Sequence, residues 1–119
     1  MPTFDEHDMT KWHWVCQYRD KFHLGKNTDI GAFTYINAKF GVTIETDVQI
    51  GSHCAIYSHN TIDNTQGPVV IKTGASIGSH TVIFPGVTIG KNAKIGAHSL
   101  IKSSVPDNAV WAGIPAKSL

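Results

Sequence analysis

Large aliphatic residues recur at every sixth position along most of the chain. They form three runs, which comprise Leu24, Ile30 and Ile36, then Ile44, Ile50 and Ile56, then Ile71, Ile77, Ile83, Ile89, Ile95 and Ile101. Six of these twelve are followed by Gly, and the residue four positions after the aliphatic is often small. A period of six is not helical, but it is three times the strand period of two. The pattern therefore predicts a short strand and a turn, repeated many times.

Three such units close one triangular coil of about 18 residues, and successive coils stack about 4.8 Å apart through parallel ladders. The aliphatic residue points into the coil, and so does the small residue two positions before the next aliphatic. Gly suits the corner because it tolerates positive φ. Each fully buried aliphatic contributes about 1.5–3 kcal/mol, so the repeat predicts an all-β fold with a column of stacked core residues.

The repeat is interrupted twice. The first interruption is small, at residues 42–43, and the second runs from about residue 62 to residue 70. The second contains Asp63, Asn64, Gly67 and Pro68, which are all turn formers. It predicts one external loop that leaves the coil, and loops on a rigid scaffold commonly carry function.

Residues 1–23 precede the repeat, and within them Trp12, Trp14, Cys16 and Tyr18 alternate. This alternation predicts a short strand, or else a helical turn, that covers the open end of the coil, where core and strand edges would otherwise be exposed. The chain is thus predicted to be a single domain, with a cap at 1–23, the coil at 24–106 and a tail at 107–119.

Composition agrees with one folded domain. The chain has 119 residues, of which 41% are hydrophobic and 16% charged, which argues against disorder. No apolar run is long enough to span a membrane, and the acidic start does not match a secretory signal, so a cytoplasmic protein is expected. Cys16 and Cys54 show neither metal-site nor disulfide spacing and are expected to be ordinary reduced thiols.

The charge is unevenly distributed along the chain. The formal net charge of +1 does not suggest a nucleic-acid partner. Residues 1–70 nevertheless carry a net charge of −3, and residues 71–119 carry +4. This asymmetry is compatible with a merely solubilising surface, and it also fits a phosphate-bearing small ligand bound by the second half.

Four histidines follow the repeat aliphatics at a constant distance of three residues: His53, His59, His80 and His98. They are expected near the corners, pointing outward, where a surface or intersubunit role is the simplest interpretation of each. His59 differs from the others because it immediately precedes the predicted external loop.

The repeat motif resembles that of the hexapeptide-repeat acyltransferases over about residues 24–117. The resemblance implies a left-handed parallel β-helix, whereas general rules favour right-handed crossovers. Segments 67–71, 77–90 and 112–117 follow His59 in the order seen in galactoside, maltose and related O-acetyltransferases. The chain departs from these enzymes in a shorter loop, in Ser76 where a Trp is common, and in ending at Leu119 without the usual helix.

The resemblance implies that an acyl group, typically acetyl, moves from acetyl-CoA to a hydroxyl or amine of a sugar or nucleotide-linked sugar. It also implies that His59 is the general base, since a hydroxyl is a weak nucleophile and neutral imidazole is suited to take its proton. An amine acceptor depends less on such a base. Asn37 matches an acceptor-binding Asn of the family, and it equally fits a corner Asn in a turn.

On the donor side, the resemblance implies that the pantetheine arm pairs with backbone groups of Ser79 and Ala97. Lys117 matches a basic residue near the 3′-phosphate of CoA, and Lys102 is placed to assist it. The resemblance further implies a homotrimer with the donor bound between subunits. No metal and no membrane partner is expected.

Two other classes of function use the same fold. A zinc-dependent carbonic-anhydrase type needs three His ligands from neighbouring subunits, and its pair of His five residues apart is missing here. A non-catalytic binding module would retain the coil alone, and the intact segment at 114–117 argues against it.

Overall fold

A computed structural model describes residues 1–119 and consists almost entirely of short strands, with one turn of 3₁₀ helix at Arg19–Lys21. The strands are β1 (Val15–Gln17), β2 (Phe22–Leu24), β3 (Asp29–Ile30), β4 (Tyr35–Asn37), β5 (Val42–Ile44), β6 (Gln49–Ile50), β7 (Ala55–Tyr57), β8 (His59–Asn60), β9 (Thr65–Gln66), β10 (Val69–Ile71), β11 (Ser76–Ile77), β12 (Val82–Ile83), β13 (Thr88–Ile89), β14 (Lys94–Ile95), β15 (Leu100–Ile101), β16 (Val110–Gly113) and β17 (Ala116–Ser118).

The strands form three parallel sheets that are the faces of a triangular prism. Face A contains β1, β4, β7, β12 and β15; face B contains β2, β5, β10 and β13; and face C contains β3, β6, β11, β14 and β16. Only β8–β9 and β16–β17 pair antiparallel. The prism is a left-handed parallel β-helix, as the resemblance implies and against the right-handed rule for crossovers between parallel strands.

The predicted aliphatic column forms the core. The repeat isoleucines from Ile30 to Ile101 are all buried. Leu24 is only partly buried, since β2 lies in the first coil and pairs on one side alone, with β5. The small positions also point inward as predicted, and Thr34, Thr81 and Ser99 are almost fully buried.

The motif glycines are explained by close packing between coils and not by positive φ. A Cβ on Gly31 would lie 2.3 Å from the amide nitrogen of Ser52, and one on Gly78 would lie 2.5 Å from that of Ala97. The positive φ values of these corners fall on later residues, such as Phe33 and His80. The expected reason for these glycines was therefore wrong, although their positions are as predicted.

Coil length accounts for both interruptions of the repeat. Cys16 is opposite Ile36, and Ile36 is opposite Ile56, which gives 20 residues per coil. The next coil, from Ile56 to Ile83, has 27 residues, and the last full coil, from Ile83 to Ile101, has 18. The additional residues lie at the corner between faces A and B, where β8 and β9 form a hairpin that leaves the coil.

The coil extends further at both ends than the predicted boundaries of 24 and 106. β1 pairs in parallel with β4 and places Cys16 opposite Ile36, while β16 pairs with β14 and places Trp111 opposite Ile95. Neither core position has an aliphatic residue, so the repeat pattern did not include them. Residues before β1 do cover the open end, where Phe4 packs edge-on against Trp14.

Both cysteines are free and buried. Burial raises the pKa of the Cys16 thiol to about 12 and also raises the pKa of Cys54, so both thiols stay protonated at neutral pH. No helix in the structure has the length and apolar character that crossing a membrane requires.

Candidate active site

A cleft of about 360 Å³ lies where the carboxyl ends of β1, β4 and β7 meet the hairpin β8–β9. We refer to it as the hairpin cleft. Its walls come from three successive coils of face A and from the hairpin itself. They comprise Gln17, Tyr18, Tyr35, Asn37, Lys39, Tyr57, His59, Asn60, Thr61 and Ile62.

His59 is the first residue of the hairpin and is partly exposed to the cleft. Its ring packs nearly perpendicular to that of Phe40, with 5.3 Å between ring centroids and 77° between the ring planes. Its Nε2 lies 3.4 Å from Oδ1 of Asn64, in the turn of the same hairpin. The imidazole is therefore held on two sides while it borders the cleft.

The hairpin turn is ordered by its own polar side chains. Asp63 accepts hydrogen bonds from the backbone N–H and the hydroxyl of Thr65, at 3.2 and 2.8 Å. These bonds lower the pKa of the Asp63 carboxyl. Gly67 N–H donates to the carbonyl of Ser58 at 2.9 Å, which closes the hairpin where it joins the coil.

Asn37 lines the same cleft as His59, but its amide is largely engaged within the chain. Its Oδ1 accepts the N–H of Lys39 at 3.1 Å, and its Nδ2 donates to the hydroxyl of Tyr35 at 3.3 Å. One Nδ2 hydrogen is left without a partner in the chain. Asn37 thus acts as a turn residue here and retains one donor for a ligand.

Aromatic residues form a wall of the cleft that the sequence analysis did not identify. The rings of Tyr35 and Tyr57, from consecutive coils, have centroids 5.6 Å apart. The hydroxyl of Tyr35 donates to Gln17, and burial raises the pKa of Tyr35. Each Tyr is adjacent to a repeat isoleucine and must face outward, so strand alternation was the signal that could have revealed this wall.

Ser79 and Ala97 lie on consecutive coils at another corner, between faces C and A. The carbonyl of Ser79 accepts the N–H of His98 at 2.9 Å, which fixes the two turns one above the other. Neither the N–H of Ser79 nor the N–H of Ala97 donates a hydrogen bond within the chain. This pair, which we call the donor corner, presents two free backbone donors on one line.

The structure separates the two candidate lysines. Lys117 is exposed on β17, opposite Ala112, and the Cβ of Ala112 approaches Gly96 next to the donor corner. Lys102 follows β15 at the other end of face A, where its Nζ lies 5.9 Å from the Phe84 ring. Its charge also lowers the pKa of Asp63 in the hairpin. Lys102 therefore lies on the side of the hairpin cleft.

Three of the four spaced histidines form a column along the corner that includes the donor corner. The rings of His53 and His80 stack with centroids 4.8 Å apart, and those of His80 and His98 with centroids 4.6 Å apart. All three have positive φ and are exposed, as corner residues. No three His, Cys, Asp or Glu side chains in the structure are grouped so that they could bind a metal.

Three clefts are larger than the hairpin cleft. Two of them, of about 600 and 420 Å³, border Met1, Pro2 and Trp12 at the amino-terminal end of the coil, and the third, of about 410 Å³, borders His23 and Glu45 on face B. They contain none of the predicted site residues. The hairpin cleft is smaller but combines a histidine, tyrosines and amides, and it is the cleft with candidate chemistry.

Among curated proteins, the chain is similar to galactoside O-acetyltransferases. No protein-family model matches the chain. Galactoside O-acetyltransferase from Lactococcus lactis is 35% identical over 106 residues, which are 76% of this chain and 51% of the relative. The Escherichia coli galactoside O-acetyltransferase is 35% identical over 111 residues, which are 81% and 55% of the two chains. This chain spans about half the length of the curated relatives it matches.

Solved structures give the same result. A galactoside acetyltransferase in complex with coenzyme A superposes with a TM-score of 0.81 at 30% identity, over 89% of this chain and 57% of the other. A hexapeptide-repeat acetyltransferase from Vibrio cholerae, in complex with acetyl-CoA, also gives 0.81, at 26% identity over 89% and 63% of the two chains.

Proposed function

The chain belongs to the hexapeptide-repeat acyltransferases, and we propose that it transfers an acetyl group from acetyl-CoA to a sugar or nucleotide-linked sugar. The observation that carries the proposal is its similarity to structures solved with acetyl-CoA or coenzyme A bound. The two galactoside O-acetyltransferases among the relatives support a sugar as the acceptor.

On the acceptor side, His59 is the proposed general base and Asn37 the proposed acceptor ligand. Two features of the hairpin cleft support these roles: both residues line it, and the imidazole is held by contacts outside it. The tyrosine wall supports a sugar, because aromatic rings offer apolar faces with a polar tip. The free Nδ2 hydrogen of Asn37 is suited to a hydroxyl oxygen of that sugar.

The proposed reaction is direct acyl transfer. The acceptor hydroxyl attacks the thioester carbonyl carbon while His59 takes the hydroxyl proton. The resulting tetrahedral intermediate breaks its carbon–sulfur bond, and the imidazolium returns the proton to the leaving thiolate of coenzyme A. Such a base typically contributes about 10²–10⁴-fold to the rate. An amine acceptor, which is nucleophilic when unprotonated, would gain less.

On the donor side, Ser79 and Ala97 are proposed to pair through their backbone with the pantetheine arm, and Lys117 to meet the 3′-phosphate. The N–H groups of Ser79 and Ala97, in the donor corner, have no partner in the chain, which supports the first role. An amide that a ligand covers needs a hydrogen-bond partner, and the pantetheine arm would supply it. The exposed position of Lys117 next to that corner supports the second. Lys102 was expected to assist Lys117, but its position near Asp63 supports a contact from the hairpin side instead.

We further propose a homotrimer. Ser79 and the hairpin cleft lie at opposite ends of the face A strands, about five residues or roughly 16 Å apart along a strand. An assembly that sets the donor corner of one chain against the hairpin cleft of its neighbour would bring the thioester close to His59.

The test is an acetyl-transfer assay with acetyl-CoA and a panel of mono- and disaccharides and nucleotide-linked sugars. We expect thiol release that depends on one of these acceptors, together with acetyl-CoA binding measurable by calorimetry. Absence of acetyl-CoA binding would refute the proposal and favour a binding module. Zinc that copurifies stoichiometrically and supports carbon dioxide hydration would favour the carbonic-anhydrase type.

A further inference from the structure

We infer that Asn64 is a positioning residue for His59, holding the imidazole with Nε2 protonated so that Nδ1 is the nitrogen that takes the acceptor's proton. The inference rests on the proposed function, because only a general base needs one defined basic nitrogen.

The hydrogen bond between the two side chains carries the argument. Nε2 of His59 lies 3.4 Å from Oδ1 of Asn64. A carboxamide oxygen only accepts hydrogen bonds, so the ring must donate from Nε2. In a neutral imidazole one nitrogen donates and the other accepts, which leaves the lone pair of His59 on Nδ1.

The turn directs Asn64 toward the ring and not toward the backbone. Asp63 is bound to Thr65, as described above, and Oδ1 of Asn60 accepts the N–H of Ile62 at 3.3 Å. These side chains stabilise the turn by local backbone bonds. Asn64 makes no such bond, and its side chain contacts His59 alone among the hydrogen-bonding groups of the chain.

The side chain that bonds to the His59 ring is the neutral amide of Asn64, although charged groups lie on several neighbouring elements. Its own hairpin contains Asp63, the segment after β4 contributes Lys39 to the cleft, and Lys102 follows β15. The carboxylate of Asp63, on the same hairpin, accepts hydrogen bonds from the N–H and the hydroxyl of Thr65. A neutral amide orients the ring without adding a negative charge beside it.

The proton path follows from this geometry. The acceptor hydroxyl gives its proton to Nδ1 as its oxygen bonds to the thioester carbon. When the carbon–sulfur bond breaks, Nδ1 returns the same proton to sulfur. The Nε2 proton stays on the bond to Asn64 throughout, and the amide oxygen stabilises the imidazolium that forms in between.

The decisive variant in the full chain is Asn64→Gly. Asn64 has a φ of 55°, a backbone conformation that Gly adopts with less strain than Asn. This change therefore keeps the turn and deletes only the side-chain amide. We expect kcat to fall roughly tenfold, the scale of one lost hydrogen bond, with an unchanged KM for acetyl-CoA. Wild-type activity in this variant would overturn the inference, since it is what a purely turn-forming residue predicts.

Two further variants separate orientation from hairpin stability. Asn64→Asp keeps the accepting oxygen and adds a negative charge that favours the imidazolium. It should retain most activity while the acidic limb of kcat/KM moves to higher pH. Thr65→Val removes a hydroxyl bond from the same turn without touching His59 and should keep the wild-type pH profile. The same shift in both variants would contradict a specific role for Asn64.

Nitrogen-15 NMR of the His59 ring, without substrates, tests the tautomer independently of activity. We expect the proton on Nε2 in the wild type. A proton on Nδ1 would overturn the role of Asn64 even if His59 is the base. Conversely, full activity of His59→Ala would refute the base assignment while the NMR result stood, so the two failures are distinguishable.

Discussion

At the scale of single residues, the hairpin cleft combines a base candidate with few charges. His59 is held between Phe40 and Asn64, and Lys39 is the one charged residue in the cleft lining. The general-base role needs the neutral form of the imidazole, which is the form that accepts a proton.

His59→Ala tests this directly. With a hydroxyl acceptor, kcat should fall by roughly 10²–10⁴-fold, while acetyl-CoA affinity and assembly stay unchanged because the side chain lies outside the core. Wild-type kcat/KM should rise with pH as histidine loses its proton and then level off, and the variant should lack that rise. Steady-state kinetics across pH measures both effects.

The matched control is His23→Ala, an exposed histidine in β2, which should behave as wild type. If His59→Ala keeps full activity and the same profile on a hydroxyl acceptor, another group takes the proton, and His80 is the next candidate. With an amine acceptor, the rise of kcat/KM with pH should follow the pKa of the substrate amine, and it should persist in His59→Ala.

Lys117→Ala examines the donor side. If the ammonium meets the 3′-phosphate, binding of coenzyme A should weaken by roughly 3- to 10-fold, the scale of an exposed charge pair, while binding of dephospho-coenzyme A hardly changes. Calorimetry with both ligands measures the difference. Lys91→Ala removes the same charge from a different corner and serves as the control. An equal loss for both ligands would remove Lys117 from this role.

At the scale of the element, each two- or three-residue strand is stable only as one rung in a stack. Ile95 is 4% exposed and lies between Ile77 and Trp111 in the register of face C. Its neighbour Lys94 points outward and is exposed. Inward and outward positions thus alternate within a single two-residue strand.

Ile95→Asp should therefore unfold the coil or cost several kcal/mol, because it buries an unpaired carboxylate. Lys94→Asp places the same residue one position earlier on the outer surface and should change stability by only about 0.5 kcal/mol. Denaturant melts followed by circular dichroism compare the two variants. Similar midpoints for both would show that the inward register is wrong.

Element by element, the sequence predicts the coil wherever an aliphatic residue recurs at every sixth position. It does not predict the first and last rungs, because Cys16 and Trp111 fill the core positions there and packing decides what they do. It predicts an external loop at about residues 62–70, whereas the segment that leaves the coil is a hairpin of strands His59–Asn60 and Thr65–Gln66, with Asn64 against the imidazole. That contact, like the Tyr35–Tyr57 wall, depends on which residues of different coils become neighbours.

At the scale of the whole molecule, the two halves of the proposed site face different directions on one prism. The donor corner and the hairpin cleft occupy two different corners, one at each end of face A. The net charge of +4 over residues 71–119 is compatible with binding of a phosphate group of coenzyme A near the later coils.

The homotrimer is tested by light scattering or sedimentation at micromolar concentration, where we expect about three times the chain mass of 12.9 kDa. The expectation follows from the separation of the two corners, because a neighbouring chain would complete each site. Acetyl-CoA binding measured under the same conditions provides the comparison. A fully active monomer would contradict the shared site.

The closed base of the hairpin bears on how such proteins diversify. The chain departs at Ser58 and returns at Gly67, and one backbone hydrogen bond joins these two points, so the path of the coil is fixed there whatever the length of the segment between them. Lengthening a flexible loop costs only about 0.6 kcal/mol for each doubling. Under the proposed function, we therefore expect insertions and deletions at this one point to change which acceptor the cleft binds while the solenoid keeps its register.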